Sequence, residues 1–564
     1  MNAGHSTGES DLSLFMPHSR TKAPGRIRQG LSAGAWILLL VAVPLAAQAP
    51  SWEELEARQV RLAGIEIRIH DVFDPARPQE NHWLGRTANF LHIETREQVV
   101  GRELLFRSGE EVSARKIRET ERNLRTFRFL KDAWIEPRVD EAGAVHAVVH
   151  TQDAWTLKAS AGFTQVGGQR DFGFTLHEAN FLGLGKDLTL AHEKTPERST
   201  DTLKYLDRQF LGSAWTLAAR YQVLSDGKTR ALDLTRPYRA LDTPWSLSFR
   251  AESWDILQSV YNLEQTAYAF RFRRESAQMA GSWAAAVSGG RALRLGAGLD
   301  LKRSRFGPLQ TLAPGSLPPP MLLDRQLQGL HVSWSLYEER FLTFRDLAGM
   351  THPEDYNQGW EAALNLGSYL RGLGSDVASP FFQAGAAKGW VPGTASLLLF
   401  RAQGEGRRES GHWLDASASA TFTAYHQGFR AQTQAAYLQV DAVHRPDPEK
   451  LLYLGGMEGL RGYGNHLLLG DRRWMASLEE RITTPLNWLG ILQLGFVLYA
   501  DAGAIRRSDS GAWSRTYVDV GGGLRLGNSK SSIGRVFLIT IAYPLVRDPG
   551  TDHHQFVLGN LVKF

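Results

Sequence analysis

From Trp155 to its last residue the chain alternates apolar and polar residues with a period of two. Leu414, Ala416, Ala418, Ala420, Phe422 and Ala424 are apolar, and Asp415, Ser417, Ser419, Thr421 and Thr423 between them are polar. Trp215, Leu217, Ala219, Tyr221 and Val223 alternate with Thr216, Arg220 and Gln222. Leu492, Leu494, Phe496, Leu498, Ala500 and Ala502 form a third apolar face, opposite Gln493, Tyr499 and Asp501. This period sends successive side chains to opposite faces of a strand. The stretches run about ten residues, the length of a tilted strand that crosses a bilayer with one face in lipid and one in a polar lumen. Strands of soluble sandwiches are shorter, about five or six residues. Tyr and Trp near the stretch ends fit the aromatic girdles of such a wall.

A helical membrane protein is excluded, because beyond the N-terminus no run approaches the roughly 20 apolar residues that a spanning helix needs. Disorder is excluded as well: 43% of the 564 residues are hydrophobic and 22% are charged, enough apolar surface to bury. The mean hydropathy of −0.28 looks water-like. A transmembrane barrel has the same average, since only every second strand residue faces lipid. The period defines roughly nineteen candidate stretches, and bacterial single-chain barrels use even numbers. Residues 265–305 are the least clearly divided, and the Pro-rich 307–320 reads as a loop. At the C-terminus Phe556, Leu558, Val562 and Phe564 alternate. A chain that ends on a strand can zip its last strand to its first, as barrel closure requires.

The N-terminus reads as an export signal over 1–49. Arg26 and Arg28 precede the apolar Ala35 to Leu45, and Ala47-Gln48-Ala49 fits a small-residue cleavage site. Met16 would itself open a normal signal. Residues 50–152 read as a separate small α+β unit. Ile65, Ile67 and Ile69 alternate against Glu66 and Arg68 in a strand over 62–73, and Thr95 to Glu103 reads as a short helix. Ser113 is placed to cap a helix over 114–129, with Ile117, Leu124 and Phe127 on one face and Arg115, Arg118, Glu119, Arg122 and Arg125 solvated. Two more strands follow, over 133–139 and 145–150, giving the order β-α-α-β-β. A three-stranded sheet leaves an edge that can accept a strand from a partner.

Several function classes find no residues to carry them. With no cysteine there is no disulfide, thiolate metal site, cysteine nucleophile or lipidation box. The net charge of +5 is mild, and no basic run interleaved with aromatics points to nucleic acid. There is no G-x-S-x-G elbow and no H-E-x-x-H, so the chain reads as a non-enzyme with no catalytic residue, cofactor or metal. His553-His554 reads as polar punctuation at a strand start. Gly521-Gly522-Gly523 reads as strand packing, not a phosphate cradle.

One constellation is more specific. Tyr453 to Tyr463 reads Y-L-G-G-M-E-G-L-R-G-Y inside a long turn-rich segment. Downstream, Leu478-Glu479 lies on one strand and Tyr499-Ala500-Asp501-Ala502-Gly503 on the next. By alternation Glu479 and Asp501 both face inward. Two inward carboxylates on neighbouring strands need a cation, and Arg461 on an in-folded loop supplies one with bidentate geometry.

The Gly455-Gly456…Leu460-Arg461-Gly462-Tyr463 loop, Leu478-Glu479 and Tyr499-x-Asp501-x-Gly503 resemble the defining motifs of the BamA/TamA superfamily of outer-membrane assembly factors and two-partner-secretion transporters. Asn180-Phe181-Leu182-Gly183-Leu184-Gly185 resembles that family's early-strand motif, and the 50–152 unit resembles a single POTRA domain. The resemblance implies an all-β transmembrane barrel of about 16 antiparallel strands over 153–564, in the outer membrane of a Gram-negative envelope, with its POTRA domain in the periplasm. It implies that Arg461, flanked by Gly462 and Tyr463, pairs with Asp501 and Glu479 in the lumen. It also implies a weak seam between the strands 155–166 and 554–564, where Gly559 permits a kink and Phe564 ends the chain. The function implied is insertion or translocation of unfolded outer-membrane or secreted polypeptide clients in contact with outer-membrane lipid, with room for accessory periplasmic proteins. A two-partner-type secretion transporter for one dedicated client is the alternative, and a simple porin the rival from another class.

Overall fold

The computed structural model describes residues 50–559 apart from 75, 77–80, 82, 167–168, 314–316, 351–352, 449, 489–490, 529–535 and 549–550. The expected export signal over 1–49 and Phe564 lie outside the described residues.

The first hundred described residues form a small unit of three strands and four helices. Its sheet has the order Leu62–His70, Val145–Asp153, Leu130–Val139, the first pair parallel and the second antiparallel. Helices α1 (Trp52–Ala57), α2 (Trp83–Leu91), α3 (Glu97–Gly101) and α4 (Ala114–Arg125) accompany it. The helices α1 and α2 are additions to the order expected from periodicity. Six residues are too few for helical periodicity, but α1 has a complete capping box between Ser51 and Glu54. Ser113 accepts from the Lys116 N–H at the start of α4. Leu62, Val99, Ile117, Leu124, Phe129, Ala147 and Val149 form one buried core.

The charged side of α4 is only partly the solvated face expected: Arg118 is exposed, whereas Arg115, Glu119 and Arg122 turn toward the barrel. Glu119 is buried and accepts the Leu241 N–H at 3.0 Å. Arg122 is ion-paired with Glu339, and Asn123 donates to the Arg239 carbonyl at 2.8 Å. These charges meet polar groups of the barrel rim, which a helical pattern cannot reveal.

The Asn180-Phe181-Leu182-Gly183 turn is part of the same joint. Asn180 donates to Thr95 Oγ1 at 2.9 Å, and Thr95 is held by both oxygens of buried Asp153. The Gly183 carbonyl accepts from Arg96 N–H at 3.0 Å. Gly183 has φ +72°, and a Cβ there would stand 2.5 Å from the Glu94 carbonyl oxygen, so only glycine fits. Gln209-Phe210-Leu211-Gly212 repeats the device one hairpin later. Gln209 donates to the Val99 carbonyl at 2.8 Å and to Glu103 at 2.7 Å.

The rest of the chain is a closed antiparallel barrel. Two segments of its hydrogen-bonded ring, Gln310–Thr311 and Leu452–Leu454, are short pieces beside longer pairings. The other 20 form the wall among the described residues, which corrects the expected 16. The smaller number came from the resemblance and not from the period, whose roughly nineteen stretches were nearer. Residues 265–305 make two long strands, Gln265–Ser288 and Arg291–Phe306, whose continuity hides the division between them. The outer wall is apolar, with Leu478, Leu498 and Val332 each more than 60% exposed, as lipid-facing positions require.

Two connections fold into the lumen. One enters from the end that carries the small unit: Phe341–Arg345 and Pro353–Asn357 pair as a separate antiparallel hairpin. It had no counterpart in the sequence reading. Its tip is organised by Glu354, which accepts the N–H groups of Leu347, Ala348 and Gly349 at 2.9 to 3.1 Å. The other enters from the opposite end, between the strands Gln432–His444 and Leu468–Trp488, and carries Arg461.

Candidate functional site

The inward loop over 445–467 folds back on itself through short-range hydrogen bonds. Gly456 N–H donates to the Gly464 carbonyl at 2.9 Å, Leu460 N–H to Gly455 at 2.9 Å, and Tyr463 N–H to Leu460 at 3.0 Å. Met457 N–H is accepted by Asn465 Oδ1 at 2.9 Å. This compact turn delivers Arg461 to the wall, where it is 7% exposed.

The guanidinium meets four groups there. Nε and Nη2 donate to the two oxygens of Asp501 at 2.7 and 2.8 Å, a bidentate pair. Nη1 donates to Glu479 Oε1 at 2.7 Å, and Nη2 to Ser477 Oγ at 3.0 Å. The ring of Tyr499 lies 3.4 Å from the guanidinium carbon, within cation–π range. Strand pairing sets this geometry. Ser477 stands opposite Asp501, and Glu479 opposite Tyr499, across the strands Leu468–Trp488 and Leu492–Arg507. Period two turns all four into the lumen while Leu478 and Leu498 turn out.

The residues beside Arg461 are packed equally closely. A Cβ on Gly462 would stand 2.6 Å from that of Asp519, and one on Gly503 would stand 3.0 Å from the Trp474 carbonyl oxygen. The Tyr463 hydroxyl donates to the carbonyls of Val518 and Val546 at 2.7 and 3.0 Å, tying the loop to the strands beyond. Gly521 leaves the space that the Tyr499 ring fills, since a Cβ there would lie 2.4 Å from it.

Sequence reasoning missed several participants. Arg481 is bonded to Glu479 at 2.7 Å and reaches the hairpin through the Leu347 carbonyl at 2.6 Å. It lies two residues after Glu479, so alternation could have found it. Asp519 is fully buried opposite Asp501 in the strand Tyr517–Asn528. Arg407 and Asp447 form a second bidentate clasp at 3.0 and 2.8 Å, upstream in the same loop, with Lys450 bonded to Glu405 and Asp415 beside it. Asp447 sits in Arg445-Pro446-Asp447-Pro448, where the local pattern reads only as a turn.

The first strand (Leu157–Val166) meets the closing strand, of which Gln555–Gly559 lies among the described residues. Among the described residues Leu558 opposite Gln165 is the registered pair, whereas Leu157–Val166 pairs with its other neighbour along its whole length. Gly559 has φ +138° and stands at this seam, apart from the Arg461 cluster.

No family model matches the chain. It is 27% identical over 136 residues to a Treponema pallidum (strain Nichols) protein described as "Putative outer membrane protein assembly factor". That match covers 23% of this chain and spans 16% of the relative's length. Among solved structures it is similar to BamA from Haemophilus ducreyi lacking POTRA domains 1-3, with 14% identity, 89% of this chain and 84% of that one covered, and a TM-score of 0.42. It is similar also to CdiB from Escherichia coli, with 15% identity, 89% and 76% covered, and a TM-score of 0.44.

Proposed function

We propose that this chain is an outer-membrane polypeptide insertion or translocation factor of the BamA/TamA superfamily. The observation that carries the reading is the buried clasp of Arg461 by Asp501 and Glu479 on an in-folded loop, in the strands that lead to the junction of the first and closing strands. The similarity to an outer-membrane assembly factor supports it. In this reading 1–49 is the export signal, 50–152 a periplasmic POTRA-like domain and 153–564 the outer-membrane barrel.

The mechanism follows from the geometry. The edge strands Leu62–His70 and Leu130–Val139 of the small sheet can take an extended client by strand addition. The joint at Asn180 and Gln209 holds that sheet beside the first barrel strand. The two loop clasps keep the strands after the loop in place while the seam parts. Unpaired backbone at a parted seam is a template for a client strand, and closure expels the product into lipid. The chemistry in this reading is hydrogen bonding alone, with no covalent step.

Seam insertion is favoured over threading through the lumen, because two in-folded segments cross that lumen. The same occupancy speaks against a simple porin. The test is removal of the protein, followed by comparison of the outer-membrane and secreted proteomes. Depletion of several barrels supports insertion, and loss of one secreted protein supports a dedicated two-partner-type transporter. Unchanged proteomes with altered solute uptake would support the porin.

A further inference from the structure

The lumen side of the last four strands carries an apolar patch. In the strand His412–His426 the lumen side carries Ser417, Ser419, Thr421 and Thr423, as a polar lumen should. In Leu492–Arg507, Val536–Pro544 and Gln555–Gly559 it carries buried Val497, Val536, Leu538, Ala542 and Val557, beside the polar Asp501, Asp519 and Arg525. Two methionines from the in-folded segments pack on this surface: Met350 from the hairpin, 1% exposed, and Met457 from the arginine loop. Glycines open the wall under Met350, where a Cβ on Gly495 or Gly527 would stand 3.0 or 2.8 Å from its side chain. Methionine fills irregular apolar gaps without specifying them, which suits a surface with more than one occupant.

Beside this apolar slot runs a row of side-chain donors that reach the main chain of the hairpin. Gln427 donates to the Arg345 carbonyl at 2.8 Å, Thr433 to Asp346 at 2.9 Å, Arg481 to Leu347 at 2.6 Å and Arg525 to Ala348 at 3.0 Å. Four consecutive carbonyls are thus held by four wall side chains. Every polypeptide offers such carbonyls, so this recognition is indifferent to sequence. Arg525 also keeps Nη1 buried with no partner among the described residues, a donor left for a further acceptor.

We propose that this groove is a binding site for an extended client polypeptide, and that the hairpin Phe341–Asn357 occupies it in the resting state. The ligand is a segment with backbone free to accept from Gln427, Thr433, Arg481 and Arg525, followed by an apolar side chain that replaces Met350. The groove ends at Val557 of the closing strand, so a bound client lies next to the seam. The identification of the ligand as a client rests on the proposed function, whereas the binding itself does not.

The test uses the full chain, purified in detergent, with a photoreactive benzoylphenylalanine in place of Leu538. The probe is a synthetic peptide copying residues 492–502, an amphipathic strand. With the hairpin intact, the crosslink should fall on the chain's own segment 346–350 and little peptide should be captured. Replacing 342–356 by a Gly-Ser linker should raise peptide capture several-fold, and a peptide copying 341–357 should compete it away. Met350→Asp, which keeps the chain length, should raise capture in the same direction. Folding of each variant is checked by heat-modifiable migration. Unchanged capture in both folded variants overturns the proposal, as does capture that the hairpin peptide cannot compete. If capture rises but removal of the protein leaves the proteomes unchanged, the groove stands and the assembly reading falls. If the proteomes change but capture does not, the reverse holds.

Discussion

Arg461 and Asp501 are joined by two hydrogen bonds of 2.7 and 2.8 Å, with Asp501 only 1% exposed. Glu479 takes a third and Asp519 stands across from Asp501. The Arg461 guanidinium therefore joins Asp501 to Glu479, whose other oxygen is held by Arg481. Arg461→Ala leaves buried Asp501 without its cation and facing Asp519, and breaking a buried pair in this way costs about 3–5 kcal/mol. Arg461→Lys should recover only part of this, because an ammonium cannot make the bidentate pair. Urea titration of heat-modifiable migration measures both, and a wild-type midpoint for Arg461→Ala would show that the loop is held elsewhere.

Gly521 is a packing residue for the same cluster. Gly521→Val would push the Tyr499 ring from its place beneath Arg461 and cost about 1–3 kcal/mol as an overpacked site. Gly522→Val, one residue along and facing the other way, should cost less at the clasp. Comparing the Arg461→Ala effect in each background measures this directly, since coupled neighbours depart from additivity.

The upstream clasp predicts a different effect. Arg407 holds Asp447, and Arg407→Ala should free the limb of the loop around Lys450 while Arg461 stays bound. Limited trypsin digestion should then cut after Lys450, since Pro446 protects Arg445, in a barrel that still migrates as folded. Resistance equal to wild type would mean that Lys450 with Glu405 and Asp415 suffices.

The fold was legible wherever a period could express it. Alternation placed Glu479 and Asp501 in the lumen and put Arg461 on a loop that had to meet them. It could not separate wall from plug, because Phe341–Arg345 and Pro353–Asn357 are strands like any other, only short. Nor could it see that Asn180 and Gln209 head two copies of one joint, since the meaning of each turn lies in Thr95, Val99 and Glu103 across the interface. The charged face of α4 was partly misread for the same reason: burial between two units leaves no period.

His150 gives the small unit a pH dependence. Burial lowers its pKa below the ordinary imidazole value of 6.5, against a smaller opposing pull from Glu136. His70, Arg68 and Glu66 also face it, and its ring stacks on Trp134 at 5.0 Å. A histidine whose folded pKa is depressed binds protons more readily when unfolded, so the folded unit loses stability as pH falls through 6.5. The 3.0 Å bond between His70 and His150 adds to this, because it needs one neutral ring as acceptor. Once the intrinsic slowing of amide exchange in acid is divided out, the protection of the strand Val145–Asp153 in the full protein should fall from pH 7 to pH 5, and His150→Gln should flatten the change. An equal response in that variant would place the titrating group elsewhere.

The central claim is that the seam parts during client handling. Leu558 stands opposite Gln165, and the chain has no cysteine of its own, so Gln165→Cys with Leu558→Cys installs a single reversible lock. With the disulfide formed, cells dependent on this protein should lose the same outer-membrane or secreted proteins as cells without it, and a reductant should restore them. A locked seam with an unchanged proteome, while removal of the protein still changes it, would contradict the account.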